Sequence, residues 1–165
     1  MGNGEDEGVT VYSDLASWAL AILRDTDAVC DLVVGGADGI LETGQLSAQA
    51  LQAAQVTRRE DEEEAGKVLA VLVWDRGEGG DVRAREATCS VLAYDRGKGY
   101  ANIRTVREAV IAALVGQNAV LARGAMVVKV RYDGRSGHQT LDEFDLDAER
   151  IDFTGPILAE QDEYM

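Results

Sequence analysis

Apolar residues recur at Leu15, Trp18, Ala19, Ile22 and Leu23, and these spacings of three and four predict one face of a helix of about three turns. Ser13 stands where an N-cap is needed, with Asp14 in the first turn. Residues 25–27 interrupt the pattern, and 28–34 predict a second, short helical piece stopped by Gly35 and Gly36. Residues 36–66 carry the weakest periodicity. A glycine-rich loop over 36–44 leaves room for a short extended piece at Ile40 and Leu41. Residues 46–56, rich in Ala and Gln, favour a third helix that Ser47 can cap. The dense charge run 58–64 is expected to end that helix as a solvated loop.

From residue 68 onward the period changes. Residues 68–74 are all apolar, which predicts an interior strand buried on both faces. Residues 75–81 read as a hairpin loop and 82–94 as the returning strand, with Cys89, Val91 and Ala93 on one face and Leu92 and Tyr94 on the other. After a loop at 95–99, Ile103, Val106, Val110, Ile111 and Leu114 mark the buried stripe of a strong helix that Gly116 ends. Residues 126–132 alternate as a strand with one wet side or at an edge, 133–139 read as a long polar loop, and 142–147, extended by Ile151 and Phe153, alternate again. The expected order is helix, helix, an uncertain segment with a third helix, strand, strand, helix, strand, strand. That is an α+β arrangement: a mostly antiparallel four-stranded sheet with helices packed on one face. Residues 11–155 form its single domain, with 36–66 as an uncertain loop or helix insertion, a flexible acidic tail at 1–10 and a C-terminal tail at 156–165.

Composition narrows the function. The chain has 165 residues, 46% apolar, with a formal net charge of -14. A reader of nucleic acid normally carries the opposite sign, because binding phosphate means neutralising it. Cys30 and Cys89 sit in apolar runs and read as small buried hydrophobes, not a disulfide framework. No stretch approaches the roughly 20 apolar residues of a membrane span, and the acidic, glycine-rich start lacks the basic and apolar regions of a secretory signal, so a cytoplasmic site of synthesis and no membrane partner are expected.

Catalysis finds no seat in the sequence. His138, the only histidine, lies among glycines and serine, and a Ser136–His138–Asp133 system would lack a nucleophile elbow. Asp142, Glu143, Asp145, Asp147 and Glu149 alternate with Phe144 and Leu146, so they read as the wet face of a strand and not as a calcium loop. Gly97-Lys98-Gly99 lacks the spacing of a phosphate-binding loop. Asp-Arg-Gly occurs at 75–77 and again at 95–97, which reads as turn chemistry. No metal site, no cofactor and no enzymatic activity are expected.

The stretch Asp27-Ala28-Val29-Cys30-Asp31-Leu32-Val33-Val34-Gly35 resembles the "D-A-A-V-A-A-L-V-G" segment near the start of tailed-phage tail terminator (head-to-tail joining) proteins. A central strand at 67–75, a returning strand ending in Val91-Leu92-Ala93-Tyr94, a helix over 100–115 and two closing strands at 126–132 and 141–153 follow in the family's order. The resemblance covers roughly residues 12–155, while 36–66 is longer than the family's pattern and carries an unusual acidic run. It implies a structural virion protein: a ring, commonly of six subunits, that caps the tail tube and joins it to the neck. The partners it implies are further copies of the chain, the tail tube protein and a neck or head-completion protein, with DNA only as passing cargo. Its place would be the virion, after synthesis in the host cytoplasm.

An acidic lumen fits that role, because a negative wall repels phosphate whereas a basic wall would grip it. On this reading Arg76, Val82, Arg83 and Arg85 are expected at a subunit contact, Arg135 and His138 at the docking face for a neighbouring ring, and Glu62, Glu63 and Glu64 on a DNA-repelling surface. The alternatives are another neck ring (an adaptor or head-closure protein) and a small cellular α/β module that binds a ligand or a protein.

Overall fold

Strict alternation in one strand decides how the chain layers. In the computed structural model, which describes residues 11–79, 86–96, 100–121, 126–141 and 146–159, Glu86–Arg96 forms a strand, β3 in chain order. Its Cys89, Val91 and Ala93 point into one apolar cluster, while Tyr94 and Leu92 join a second cluster on the opposite face. The strands before it are β1 (Ile40–Glu42) and β2 (Ala70–Gly79); those after it are β4 (Asn118–Leu121), β5 (Met126–Lys129), β6 (Arg131–Leu141) and β7 (Leu146–Ala159). The helices are α1 (Leu15–Arg24), α2 (Asp27–Cys30), α3 (Ala48–Glu60) and α4 (Tyr100–Leu114).

The architecture is α+β, as expected, but the sheet is larger than the four strands foreseen. Among the described residues seven strands run in the order β1-β2-β3-β7-β5-β4, with β6 also paired to β7. β1 lies parallel to β2, and the remaining strand pairs are antiparallel. β2 is therefore interior, as its continuous apolar run requires. It does not stop at a loop after residue 74. It continues through Gly79, with a register irregularity between Asp75 and Gly77 that absorbs the first Asp-Arg-Gly triplet.

The largest departure is at 133–139. Expected as a polar loop, this segment is strand: β6 pairs with β7 from Arg131 opposite Thr154 to Leu141 opposite Leu146, with an irregularity between Tyr132 and Ser136. Glycine and polar residues are tolerated there because the ladder bonds to β7 hold the backbone. Val130 separates β5 from β6. Its N–H donates to the Gln117 carbonyl at 3.0 Å, and its own carbonyl accepts from Gly116 at 2.9 Å. β5 is thus interior, between β4 and β7. β7 runs past Gly155 and Pro156 to Ala159.

The helices do not share one face. Leu15, Trp18, Ala19 and Leu23 of α1 and Ile103, Val106, Val110 and Leu114 of α4 pack with Val71, Val91, Ile151 and Phe153 in the first cluster. α3 lies against the other face, where Leu51, with Ala54, meets Leu72, Leu92, Tyr94, Leu146 and Ala148. The helix caps differ in one detail. Asp14, not Ser13, caps α1, its Oδ1 accepting from the Ser17 N–H at 2.7 Å. Ser47 caps α3 as expected, accepting from Ala50 at 3.0 Å. The 28–34 piece is shorter than expected: α2 ends at Cys30, and Val33 bridges to Val68 in strand fashion. Gly35 and Gly36 then turn the chain with φ of 83° and 64°, which L side chains rarely adopt.

α3 also extends to Glu60, into the charge run expected to end it, because Arg58 has an internal partner. Its Nη1 reaches Asp95, whose side chain is 1% exposed. The same nitrogen donates to the Lys67 carbonyl at 2.9 Å, and Nη2 donates to Gln55 Oε1 at 2.9 Å. Asp95 further accepts from the Arg96 backbone N–H at 2.7 Å and from Asn102 Nδ2 at 3.2 Å. This pair fastens the end of α3 to the end of β3 and the start of α4.

Two stability outcomes follow. Phe153, fully buried beside Tyr132 with ring centroids 6.1 Å apart, should cost about 3–5 kcal/mol when replaced by Ala, read from urea denaturation. Arg58→Ala strands a buried carboxylate and should cost about 3–5 kcal/mol, while the apolar pair Arg58→Met with Asp95→Leu should recover most of that loss.

Candidate assembly surfaces

The helix-covered face is filled by apolar side chains, so chemistry and contacts must come from the outer face, the sheet edges and the loops. α3 covers only the part of the outer face near Tyr94 and Leu146. Beyond it, register places Trp74 beside Ser90, Ser90 beside Asp152, and Thr88 beside Thr154, with Thr154 opposite Arg131. Val130 and Tyr132 belong to the helix-side core, so Lys129 and Arg131 point outward by alternation. Lys129 and Arg131 are exposed, and Trp74 is 43% exposed.

Beneath them lies a polar seam. Ser90 donates to Asp152 Oδ1 at 2.7 Å, Arg150 Nε sits 3.1 Å from the same oxygen, and the Asp152 side chain is fully buried. Thr154 Oγ1 donates to the Ala87 carbonyl at 3.2 Å. The Ser90 and Thr154 bonds satisfy two hydroxyls and Asp152 Oδ1, which the sheet would otherwise bury at a cost.

The residues singled out from sequence are distributed over several places. Arg76 falls in β2 and Arg135 and His138 in β6, with His138 opposite Glu149 in the ladder; their side chains lie outside what the structure describes. Val82, Arg83 and Arg85 are outside the described residues, as are Gly97-Lys98-Gly99 and Asp142, Glu143 and Asp145.

Glu62–Glu64 forms a single 3-10 turn after α3. Glu62 and Glu63 are exposed, but Glu64 faces inward: its carboxylate pairs with Lys67 and accepts from the Gly35 N–H at 3.1 Å. Asp147 and Glu149, expected on a wet face, are turned toward the helices. Asp147 is buried, and Glu149 pairs with Arg107 of α4 at 3.2 Å. Alternation was read correctly there, but α4 covers the face on which those carboxylates lie.

Reactive chemistry has little support among the described residues. Cys89 is buried. The Cys30 thiol donates to the Leu23 and Arg24 carbonyls. Burial, followed by the nearby Asp27, Asp31 and Asp25 carboxylates, pushes its pKa up, away from the thiolate that a nucleophile needs. A cleft of about 160 Å³ between α1 and β1 is lined by Asp14, Ser17, Glu42 and Val73, among others, and Asp14 is committed to its cap. No group of three or more metal-ligating side chains occurs among the described residues. No helix of the described residues is long and apolar enough to cross a membrane.

The Glu64–Lys67 pair gives a pH signature. The Lys67 hydrogen bond, then the Gly35 N–H, holds the Glu64 carboxyl below its usual range, and Glu64 in turn raises the Lys67 ammonium. A lowered acid stabilises fully above its unfolded pKa and loses that contribution as pH falls through the folded value. Glu64→Gln should therefore lower the urea midpoint at neutral pH, and the gap from wild type should close as pH falls through and below the ordinary carboxylate range. An equal gap at neutral and acid pH would contradict this assignment.

No family model matches the chain, and no curated protein matches it. Among solved structures, the fold is similar to that of a chain in the virion of a native gene transfer agent (GTA) particle, with a TM-score of 0.60 at 17% identity, covering 87% of this chain and 94% of that one. At that identity the likeness establishes a shared fold over most of both molecules.

Proposed function

We propose that the chain is a structural subunit of a phage-like virion and, within it, a tail terminator: a ring of identical copies that caps the tail tube and joins it to the neck. The observation that carries this reading is the likeness to a virion chain across 94% of that chain's length. It is supported by the order of elements and by the 27–35 segment that resembles tail terminators. In this role the molecule uses surfaces, not a pocket. Arg76, Val82, Arg83 and Arg85 serve as one subunit contact, and the β6 strand with Arg135 and His138 faces the next ring. The -14 charge suits a channel through which DNA slides, because carboxylates offer phosphate no counterion release.

Purified chain at high concentration should give a native mass that is an integral multiple of 17.7 kDa by light scattering, and closed rings by electron microscopy, with sixfold symmetry expected. A strict monomer that turns over a substrate would overturn the proposal.

A further inference from the structure

β1 is a short strand at one end of the sheet. The backbone groups on its outer side are all bonded within the chain. Successive residues of a strand turn their N–H and C=O groups to opposite sides, so Ile40 and Glu42 share one side and Leu41 takes the other. The Ile40 N–H donates to the Ala37 carbonyl, in the 3-10 turn Gly36–Gly39 that leads into the strand. The Ile40 carbonyl accepts from Arg24 Nε at 2.9 Å. The Glu42 N–H donates to Gln45 Oε1 at 2.9 Å, and the Glu42 carbonyl accepts from the Gln45 N–H at 3.0 Å. Leu41 is left to face β2, beside Leu72.

This closure depends on two residues outside the strand. Residues 42–45 fold back as a tight turn, and Gly44 has a φ of 100°, which L side chains rarely adopt. The turn carries Gln45 back over the strand end, where its backbone and its side chain hold both groups of Glu42. Arg24, the last residue of α1, then pins that side chain: Nη2 donates to Gln45 Oε1 at 3.2 Å while Nε holds Ile40. One rigid guanidinium fork thus ties the two ends of the edge together, a geometry that a point-like ammonium does not reproduce. Glu42 and Gln45 are exposed, so burial in the core does not account for their arrangement.

We propose that Arg24 and Gln45 form an edge guard, a strap and its pin, that keeps β1 from pairing with a strand of a second copy of this chain. An open edge is a template for strand addition. A second copy is the relevant partner, because it offers the same strands at the same concentration. Strand addition that repeats from copy to copy without closing gives open filaments. The guard removes that route at β1 and leaves association to other surfaces. Its bonds all lie within one chain, so it acts on a monomer and on a ring alike.

The test uses the full chain carrying Gln45→Ala, and separately Arg24→Met with Gln45→Ala. Met keeps the aliphatic stem of Arg24 and removes its donors. Because Gln45 is exposed, its variant should keep the wild-type urea midpoint. In dilute solution the Glu42 amide should exchange with solvent about tenfold faster than in wild type, as expected for the loss of one hydrogen bond. As concentration rises, light scattering should show both variants growing to masses beyond the wild type at the same concentration. The Glu42 amide should then become protected again, because a strand from another copy covers it. Exchange and mass equal to wild type in both variants would overturn the guard. So would variants that grow while the Glu42 amide keeps exchanging fast, since they associate through another surface. A wild type that stays monomeric sinks the ring reading and leaves the guard standing. Wild-type rings with variants that never grow beyond them sink the guard and leave the ring reading standing.

Discussion

The antiparallel pairing of β3 with β7 organises the rest of the molecule. The two strands run together from Glu86 opposite Pro156 to Arg96 opposite Leu146. Because side chains alternate, this one ladder presents Cys89, Val91, Ala93, Ile151 and Phe153 to α1 and α4, and Leu92, Tyr94, Leu146 and Ala148 to α3. A slip of one residue would exchange the two sets and place Ser90 and Asp152 under the helices. The register is pinned on the outer side as well, because Ser90 and Asp152 are cross-strand partners joined by their own hydrogen bond. Apolar packing on one face and a polar seam on the other therefore specify the same alignment.

Much of this was legible where periodicity was strong. The apolar run before Trp74, the two faces of β3 and the buried stripe of α4 follow from spacing alone, since each side chain's environment repeats with its own element's period. What was hidden depended on partners distant in the chain. The polar residues of β6 show no apolar alternation, yet β7 pairs with them on both sides of the irregularity between Tyr132 and Ser136. β4 spans only Asn118–Leu121, too short to register as a pattern. The Ala- and Gln-rich composition of α3 predicts a helix but not which sheet face it covers. Arg58 and Asp95, separated by 37 positions, look like ordinary members of charged stretches until the fold brings them together. Trp74, Lys129 and Arg131 have the same character: they lie on three different strands and share the outer face only through register.

The sheet edges bear on how copies can associate. An open edge offers unpaired N–H and C=O groups to any passing strand. At β1 the edge is closed by its own chain. Arg24 Nε donates to the Ile40 carbonyl at 2.9 Å, and Gln45 Oε1 accepts from the Glu42 N–H at 2.9 Å and from Arg24 Nη2 at 3.2 Å. At the other end of the sheet Tyr12 bridges in parallel to Leu121, its N–H donating to the Val120 carbonyl at 3.0 Å. Strand addition at β1 would have to displace a side-chain network, and at β4 it would compete with the chain's own N-terminal segment. Association through faces requires neither displacement. Neither constraint applies to β6, which among the described residues is paired with β7 alone.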